Sequence, residues 1–190
     1  RAHQRLRLLD AAAAALAEQG YGHITAARVT ELAGVSSRTF YQHFEDLWAC
    51  LLATYENAAG RLYEEIETAC TALVEVRGPV AEADRHGRAH AGIAAAIDAL
   101  AAEPDVARLL SAEPPPQIAA LATARRDLVE RLGTMLRSVL RTDGTTPLPG
   151  LERRLVGAAL ALVSARATAG DPQRLRDLEP ELTELLLTSL

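Results

Sequence analysis

Alanine and leucine dominate this sequence, because together they occupy 68 of its 190 positions, whereas valine and isoleucine occupy 15. Alanine and leucine stand at the top of the helix-propensity scale, and the β-branched residues that fill strands are scarce. Composition therefore predicts an all-α chain and excludes a large sheet. The length exceeds what a single small bundle needs and falls short of two full-size domains, so we expect one small domain joined to a larger one.

The sequence does not predict a membrane protein or a disulfide-bonded one. The apolar run Leu155 to Val163 has nine residues, half of what a bilayer crossing requires. Cys50 and Cys70 fall in one predicted helix, where twenty residues span about 30 Å, whereas a disulfide needs Cα atoms about 4.4 to 6.8 Å apart. We therefore expect a soluble protein with free thiols, which fits the reducing cytoplasm.

Charge by itself does not indicate a nucleic-acid-binding protein. The net charge is −5, and all 20 basic residues are arginine. Arginine and acidic residues balance within positions 1–50, so the negative charge belongs to the rest of the chain. A DNA-binding function must therefore rest on a motif and not on overall charge.

Helix signals are sharpest in the first 52 residues. Apolar residues three and four apart predict a helix from His3 to Gln19, which Gly20 ends. Thr25 is placed to cap a short helix that runs to Ala33, and Gly34 supplies the positive φ of a tight turn. Ser36 or Ser37 then caps a second short helix with Phe40 and Phe44 on one face.

Two short helices joined by a turn that contains glycine form a helix-turn-helix, whose second helix enters the major groove of DNA. Val29, Leu32, Val35 and Phe40 are predicted to bury the inner faces. Arg38 suits guanine, Gln42 suits adenine, and the Thr39 methyl group suits a thymine methyl. The short Ser36 and Ser37 allow close approach to base edges, and the predicted phosphate contacts are Thr25, Tyr41 and His43.

The segment from Leu8 to Leu52 resembles the N-terminal domain of the tetracycline-repressor (TetR) family of transcriptional regulators. The resemblance is sharpest in Gly34-Val-Ser-Ser-Arg-Thr-Phe-Tyr-Gln-His-Phe44, and it extends to Gly20-Tyr21 and the Thr25 cap. Three positions depart from the family pattern, namely Thr30 for alanine, Arg38 for glycine and Leu47 for a phosphate-binding lysine. The change at Leu47 predicts weaker non-specific DNA binding than is usual in the family.

The resemblance implies a division into a helix-turn-helix domain over residues 1–46 and a helical ligand-binding and dimerisation domain over residues 47–190. Periodicity independently predicts one long helix from Leu47 through Leu73, ended by Arg77-Gly-Pro79, that joins the two domains. If the family architecture holds, five side chains of the second domain would face a ligand cavity: Tyr55, Tyr63, His86, His90 and Met135.

The remaining sequence predicts five further helical segments and one loop. The helices are a segment ending at Glu103, Asp105 to Ser111, Gln117 to Arg141, Leu151 to Ala169 and Arg174 to Leu190, and the loop runs from Thr142 to Gly150. The last two helices have more apolar width than one core-facing stripe needs, which predicts a homodimer through a four-helix bundle. The alternative is that this pair packs only on its own domain.

The function predicted from these features is that of a ligand-responsive, sequence-specific DNA-binding regulator, a repressor released from operator DNA by a small molecule. Two other classes remain open, a small helical enzyme and a helical scaffold without DNA affinity. No nucleophile elbow, phosphate loop or metal triad indicates catalysis, so we expect no catalytic residues, cofactor or metal. His86 and His90 have the spacing of two metal ligands, but no third ligand falls into a recognised pattern, which favours a solvated or pocket-lining pair.

Overall fold

The computed structural model describes residues 2–77, 82–116, 118–140, 150–167 and 171–188. The helix break predicted at Gly78-Pro79 and the loop predicted from Thr142 to Pro149 lie outside the described residues. The same applies to the ends of the two segments predicted to dimerise, residues 168–169 and 189–190.

The described part of the chain is helical and contains no strand, which confirms the predicted fold class. The helices are α1 (Ala2–Gln19), α2 (Ala26–Ala33), α3 (Ser37–His43), α4 (Leu47–Arg77), α5 (Glu82–Ala102), α6 (Pro104–Ser111), α7 (Ala119–Leu140), α8 (Leu151–Ala167), α9 (Pro172–Arg176) and α10 (Leu178–Thr188). None of these helices is long and apolar enough to cross a membrane.

Local capping signals set the ends of the first helices. Gly20 has a φ of 68°, and its N–H donates to the Leu16 carbonyl at 2.8 Å, which ends α1. Thr25 Oγ1 accepts a hydrogen bond from the backbone N–H of Arg28 at 3.2 Å and starts α2. Both ends are those that the sequence predicts, because capping depends on residues within one turn of each other.

The long helix α4 connects the N-terminal helices to the rest of the chain. Asp46 Oδ1 accepts a hydrogen bond from Ala49 N–H at 2.7 Å and starts the helix. Its 31 residues span roughly 46 Å. The helix packs on α1 near its start and on α5 and α7 farther along. The prediction of one continuous helix from Leu47 is therefore confirmed.

The structure corrects the sequence analysis at two points. Leu32, predicted to be buried, is 39% exposed, because α2 turns Val29, Thr30 and Ala33 inward instead. The single helix predicted from Arg174 is two helices that meet at Asp177. Pro180 explains this break, because a proline cannot donate to the carbonyl four residues earlier and its ring clashes with that carbonyl.

A buried carboxylate joins α7 to α8. Glu152 is only 2% exposed, and its two oxygens accept hydrogen bonds from Arg137 Nε at 2.8 Å and Arg137 Nη2 at 3.3 Å. The Arg137 guanidinium holds the pKa of Glu152 below its ordinary value of 4.5. Because a buried charge is stable only when it is paired, Arg137 compensates the burial of this carboxylate between the two helices.

We expect Glu152→Gln to make the free energy of unfolding less dependent on pH in the acidic range. A carboxyl group whose pKa is lowered by folding stabilises the folded state above its unfolded pKa, and this stabilisation is lost as the pH falls through the folded value. The free energy of unfolding, measured in urea from neutral pH to below 4.5, should therefore fall less steeply in the variant than in the wild type.

The matched control is Glu130→Gln, because Glu130 also joins α7 to α8, through Arg153 at 2.6 Å, but is 53% exposed. Exposed ion pairs contribute little to stability, so the free energy of unfolding of this variant should fall with decreasing pH as in the wild type. The same pH dependence in Glu152→Gln would show that Glu152 does not contribute to acid sensitivity.

Candidate nucleic-acid interface and ligand cavity

Helix α3 is held in place by two phenylalanines. Ser36 Oγ accepts a hydrogen bond from Thr39 N–H at 3.1 Å and starts the helix. Phe40 is completely buried and Phe44 is 7% exposed, and their ring centroids lie 5.8 Å apart. The inner face of α3 is therefore anchored in the core, which fixes the side chains that point away from it.

The outer face of α3 is polar and accessible. Ser37, Arg38, Tyr41 and Gln42 are exposed, and Tyr41 is 61% exposed while its ring packs edge-on against Phe40 at 5.2 Å. Arg38 forms no ion pair with Glu45 in the described part of the chain, which leaves its guanidinium accessible. Such a face has the shape and chemistry that base-edge recognition requires.

The other residues predicted to bind DNA occupy the edges of this face. Ser36 is exposed, and its hydroxyl group lies 3.0 Å from Thr39 Oγ1 as well as capping the helix. Thr39 and His43 are half-buried. Thr25 is exposed at the start of α2, where its side chain is engaged as the cap. The eight predicted residues therefore lie at the start of α2 and along α3.

An arginine of helix α1 donates hydrogen bonds to the turn between α2 and α3, a contact that the sequence analysis did not predict. Arg7 Nη2 donates to the carbonyl oxygens of Ala33 and Gly34. Gly34 has a φ of 59°, and a Cβ atom there would lie 2.8 Å from Arg7 Nη2. Arg5 lies 5.5 Å above the Phe44 ring. The only sequence signal for these contacts is the pair Arg5 and Arg7 on α1. It does not identify their partners, because those partners are distant in sequence.

An apolar cavity of about 130 Å³ lies among α4, α5, α7, α8 and α10. Wall residues from each of these helices include Ile66, Ile93, Met135, Val163 and Leu182. The wall contains no charged side chain among the described residues, and Cys70 supplies its one polar group. The cavity therefore suits an apolar group.

Comparison with known families assigns the N-terminal part of the chain. Residues 8–53 match the family model described as bacterial regulatory proteins, tetR family. These residues form a TetR-family N-terminal domain. The match covers α1 from Leu8 onward, all of α2 and α3, and the start of α4, and it includes the polar face of α3.

Solved TetR-family regulators share the fold of the whole chain. The fatty acid degradation regulator FadR from Bacillus halodurans is 18% identical, with 97% of this chain and 98% of that chain covered and a TM-score of 0.78. A TetR-like regulator from Rhodococcus sp. RHA1 is 17% identical, with coverage of 98% and 95% and a TM-score of 0.75. FadR from Bacillus subtilis in complex with stearoyl-CoA is 18% identical, with coverage of 97% and 98% and a TM-score of 0.62.

These structural similarities concern the fold alone, because all three identities are low. A search of curated protein sequences gives no match. The chain thus combines a TetR-family N-terminal domain with a second helical part whose fold, but not whose sequence, is that of solved TetR-family regulators.

Of the five side chains predicted to face a ligand in this TetR-like fold, the structure places Met135 in the cavity wall. Tyr55 is completely buried on α4, two turns before the wall residue Leu62, and burial raises its pKa. Tyr63 lies beneath Arg131, whose guanidinium is 4.1 Å from the ring centroid. Neither tyrosine belongs to the cavity wall.

Neither histidine belongs to the cavity wall. His90 is 55% exposed, and its Nε2 lies 3.3 Å from Glu179 Oε1. His86 is also exposed. No cluster of three or more metal-ligating side chains occurs in the part of the chain that the structure describes. Apart from Cys70, the wall residues that the sequence analysis missed are aliphatic, and no local signal distinguishes a cavity wall from a filled core.

Proposed function

We propose that this protein is a ligand-responsive, sequence-specific DNA-binding transcriptional regulator that represses its target until a small molecule releases it from operator DNA. The main support is the polar outer face of α3, held rigid by the buried Phe40 and Phe44. In a helix-turn-helix this face enters the major groove, where Arg38 and Gln42 can bond to base edges. The TetR-family match over residues 8–53 supports the same function.

Operator recognition by such a regulator calls for a homodimer, and we propose that α8 and α10 form its interface. Helix α8 buries Leu155, Leu160 and Val163 in its own domain. The opposite face exposes Ala158, Ala161 and Ala165, which recur at helical spacing. Small side chains allow two helices to approach closely in a two-fold bundle.

The mechanism we propose is a change in the spacing of the two recognition helices. Three residues separate α3 from α4, and α4 includes wall residues of the cavity, such as Ile66. A ligand that fills the cavity can therefore shift α4 and, with it, the recognition helix α3 of each subunit. The two recognition helices must lie about 34 to 36 Å apart to enter successive major grooves. DNA binding must then weaken ligand binding by the same factor. FadR from Bacillus subtilis, which has this fold, was solved in complex with stearoyl-CoA. This similarity supports an effector with an aliphatic portion.

The decisive experiment is selection of bound duplexes from a random-sequence pool, followed by a salt titration of the best duplex and a scrambled one. We expect a recurrent palindromic site and a linear fall of log affinity with log salt concentration, since arginine–phosphate contacts release counterions. Failure to enrich any sequence, together with no binding at low salt, would favour a scaffold without DNA affinity.

Two substitutions on α3 should have different consequences. Gln42→Ala is expected to relax the preference at one base position by about 1 to 3 kcal/mol, because glutamine is suited to bidentate recognition of adenine. Tyr41→Phe removes a hydroxyl group predicted to bind phosphate, so it should weaken all duplexes alike. The measurement is fluorescence anisotropy with the selected duplex and its single-base variants. Equal loss on every sequence for Gln42→Ala would make Gln42 a backbone contact.

A further inference from the structure

The cavity among α4, α5, α7, α8 and α10 is bordered by the hydrophobic core. Its wall residues Ile97 and Val163 are 1% and 3% exposed, and Leu62 and Leu182 are each 5% exposed. A molecule held among these side chains is therefore largely removed from water. Each polar group of such a molecule needs a hydrogen-bond partner in the wall, because an unpaired polar group is costly to bury.

The wall, as far as the structure describes it, offers no such partner. Its one polar group is the Cys70 thiol, which already donates to the Arg88 carbonyl at 3.5 Å. Burial raises the pKa of this thiol, so it stays protonated and uncharged at neutral pH. Arg88 Nη2 donates to the Val139 carbonyl at 3.2 Å, and the Arg88 side chain does not belong to the wall. A charged or strongly hydrated ligand group therefore has no counterpart among these residues.

The volume of the cavity limits the ligand to a small molecule. It is about 130 Å³, which lies below the roughly 300 to 1,000 Å³ of typical ligand pockets. An apolar cavity of about 150 Å³ in another protein binds benzene, which has six carbon atoms. Water is a poor occupant of such a space, because a buried water needs about two to four polar partners. The space therefore suits an apolar molecule of about six carbon atoms.

We propose that the cavity binds an uncharged hydrocarbon of about six carbon atoms, held by apolar contact alone. The inference rests on the proposed function, since it names the chemical class of the effector. It goes beyond an effector with an aliphatic portion, because the whole molecule is apolar. Its affinity comes from removing apolar surface from water and from contact with the wall side chains.

Isothermal titration calorimetry of the full chain with benzene, phenol and sodium benzoate tests this proposal. The three compounds share one ring and differ by an added hydroxyl or carboxylate group. We expect benzene to bind more tightly than phenol by about tenfold or more, because a buried hydroxyl group without a partner loses its hydrogen bonds with water. Benzoate should not bind measurably, since burial of an unpaired charge costs far more. Equal or tighter binding of phenol or benzoate, or no binding of benzene, would overturn the proposal.

Two substitutions in the wall test where the hydrocarbon binds. Ala96→Leu places a larger side chain in the cavity and should abolish benzene binding. Ile93→Val removes one methylene group from the wall, which costs little stability. It should raise the affinity for toluene, which is one methyl group larger than benzene, by about fourfold, the value of one buried methylene group.

Ala102→Leu is the matched control for Ala96→Leu, because Ala102 is an exposed alanine of α5 that does not belong to the wall. It should bind benzene and toluene as the wild type does. If Ala96→Leu does not fold, Ile93→Val still tests the location. An unchanged toluene affinity in Ile93→Val, or full benzene affinity in folded Ala96→Leu, would place the hydrocarbon outside this cavity and contradict the assignment.

The outcomes separate this inference from the proposed function. Binding of the selected DNA duplex is measured in parallel with and without benzene. If benzene binds in the cavity and the DNA affinity is unchanged, the hydrocarbon site is supported and ligand-responsive repression is contradicted. If benzene does not bind but the selected duplex does, the hydrocarbon assignment fails and the DNA-binding function stands.

Discussion

Replacing Phe40 by alanine is expected to destabilise the N-terminal domain by about 3 to 5 kcal/mol and to abolish specific DNA binding. Phe40 is completely buried, and its ring contacts both Tyr41 and Phe44. Its removal leaves a cavity beneath a helix of only seven residues, which has little stability of its own. Such a loss is a large part of the roughly 5 to 15 kcal/mol that stabilises a typical domain.

The single tryptophan provides a local probe of this effect. Trp48 lies in the first turn of α4, 40% exposed, four residues after Phe44. Its fluorescence in a denaturant titration should report the N-terminal domain, while far-ultraviolet circular dichroism reports all helices. Phe40→Leu is the control, because it retains most of the apolar volume and should cost about 1.5 kcal/mol or less. Wild-type DNA affinity in Phe40→Ala would contradict the view that this ring holds α3 in place.

Placing an arginine at Ala161 is expected to dissociate the proposed homodimer and to lower operator affinity by roughly 10² to 10⁴-fold. Ala161 lies between Ala158 and Ala165 on the exposed face of α8, where two copies of a long charged side chain would meet across the two-fold axis. A dimer gains this roughly 10² to 10⁴-fold affinity because, once one recognition helix is bound, the second binds at a high effective concentration. Sedimentation equilibrium and anisotropy on the selected duplex measure both effects.

Ala120→Arg is the control for this substitution, because Ala120 is also an exposed alanine but lies on α7. It should remain dimeric and bind DNA as the wild type does. Since Ala161 is exposed in the single chain, its replacement should leave thermal stability nearly unchanged. A dimeric Ala161→Arg with full operator affinity would place the interface elsewhere.

The helix-turn-helix could be predicted from sequence because its signals are local. The caps at Thr25 and Ser36, the turn at Gly34 and the four-residue spacing of Phe40 and Phe44 all act within one or two turns. The division into domains 1–46 and 47–190 and the roles of the individual DNA-binding residues stay predictions. The hydrogen bond from Arg7 to the turn was not predicted, since its partner Ala33 is 26 positions away.

The lining of the cavity was predicted less well than the helix-turn-helix. Aromatic and polar residues such as Tyr55, Tyr63 and His90 were expected to mark it, yet apart from Cys70 and Met135 the wall is aliphatic. An aliphatic position has the same helical periodicity whether it fills the core or borders empty space. The packing of five helices decides which of these applies.

The sequence by itself determined the helical character of the chain, the positions of most helix ends and the motif in residues 20–44, since propensity, capping and turn chemistry act between near neighbours. Only the tertiary structure decided where the cavity lies and which face of α8 is left exposed. The hydrogen bond from Arg88 to Val139 joins residues 51 positions apart. Contacts of this kind depend on how the helices pack, and hydrophobic burial, which drives that packing, has no directional preference that a sequence pattern could reveal.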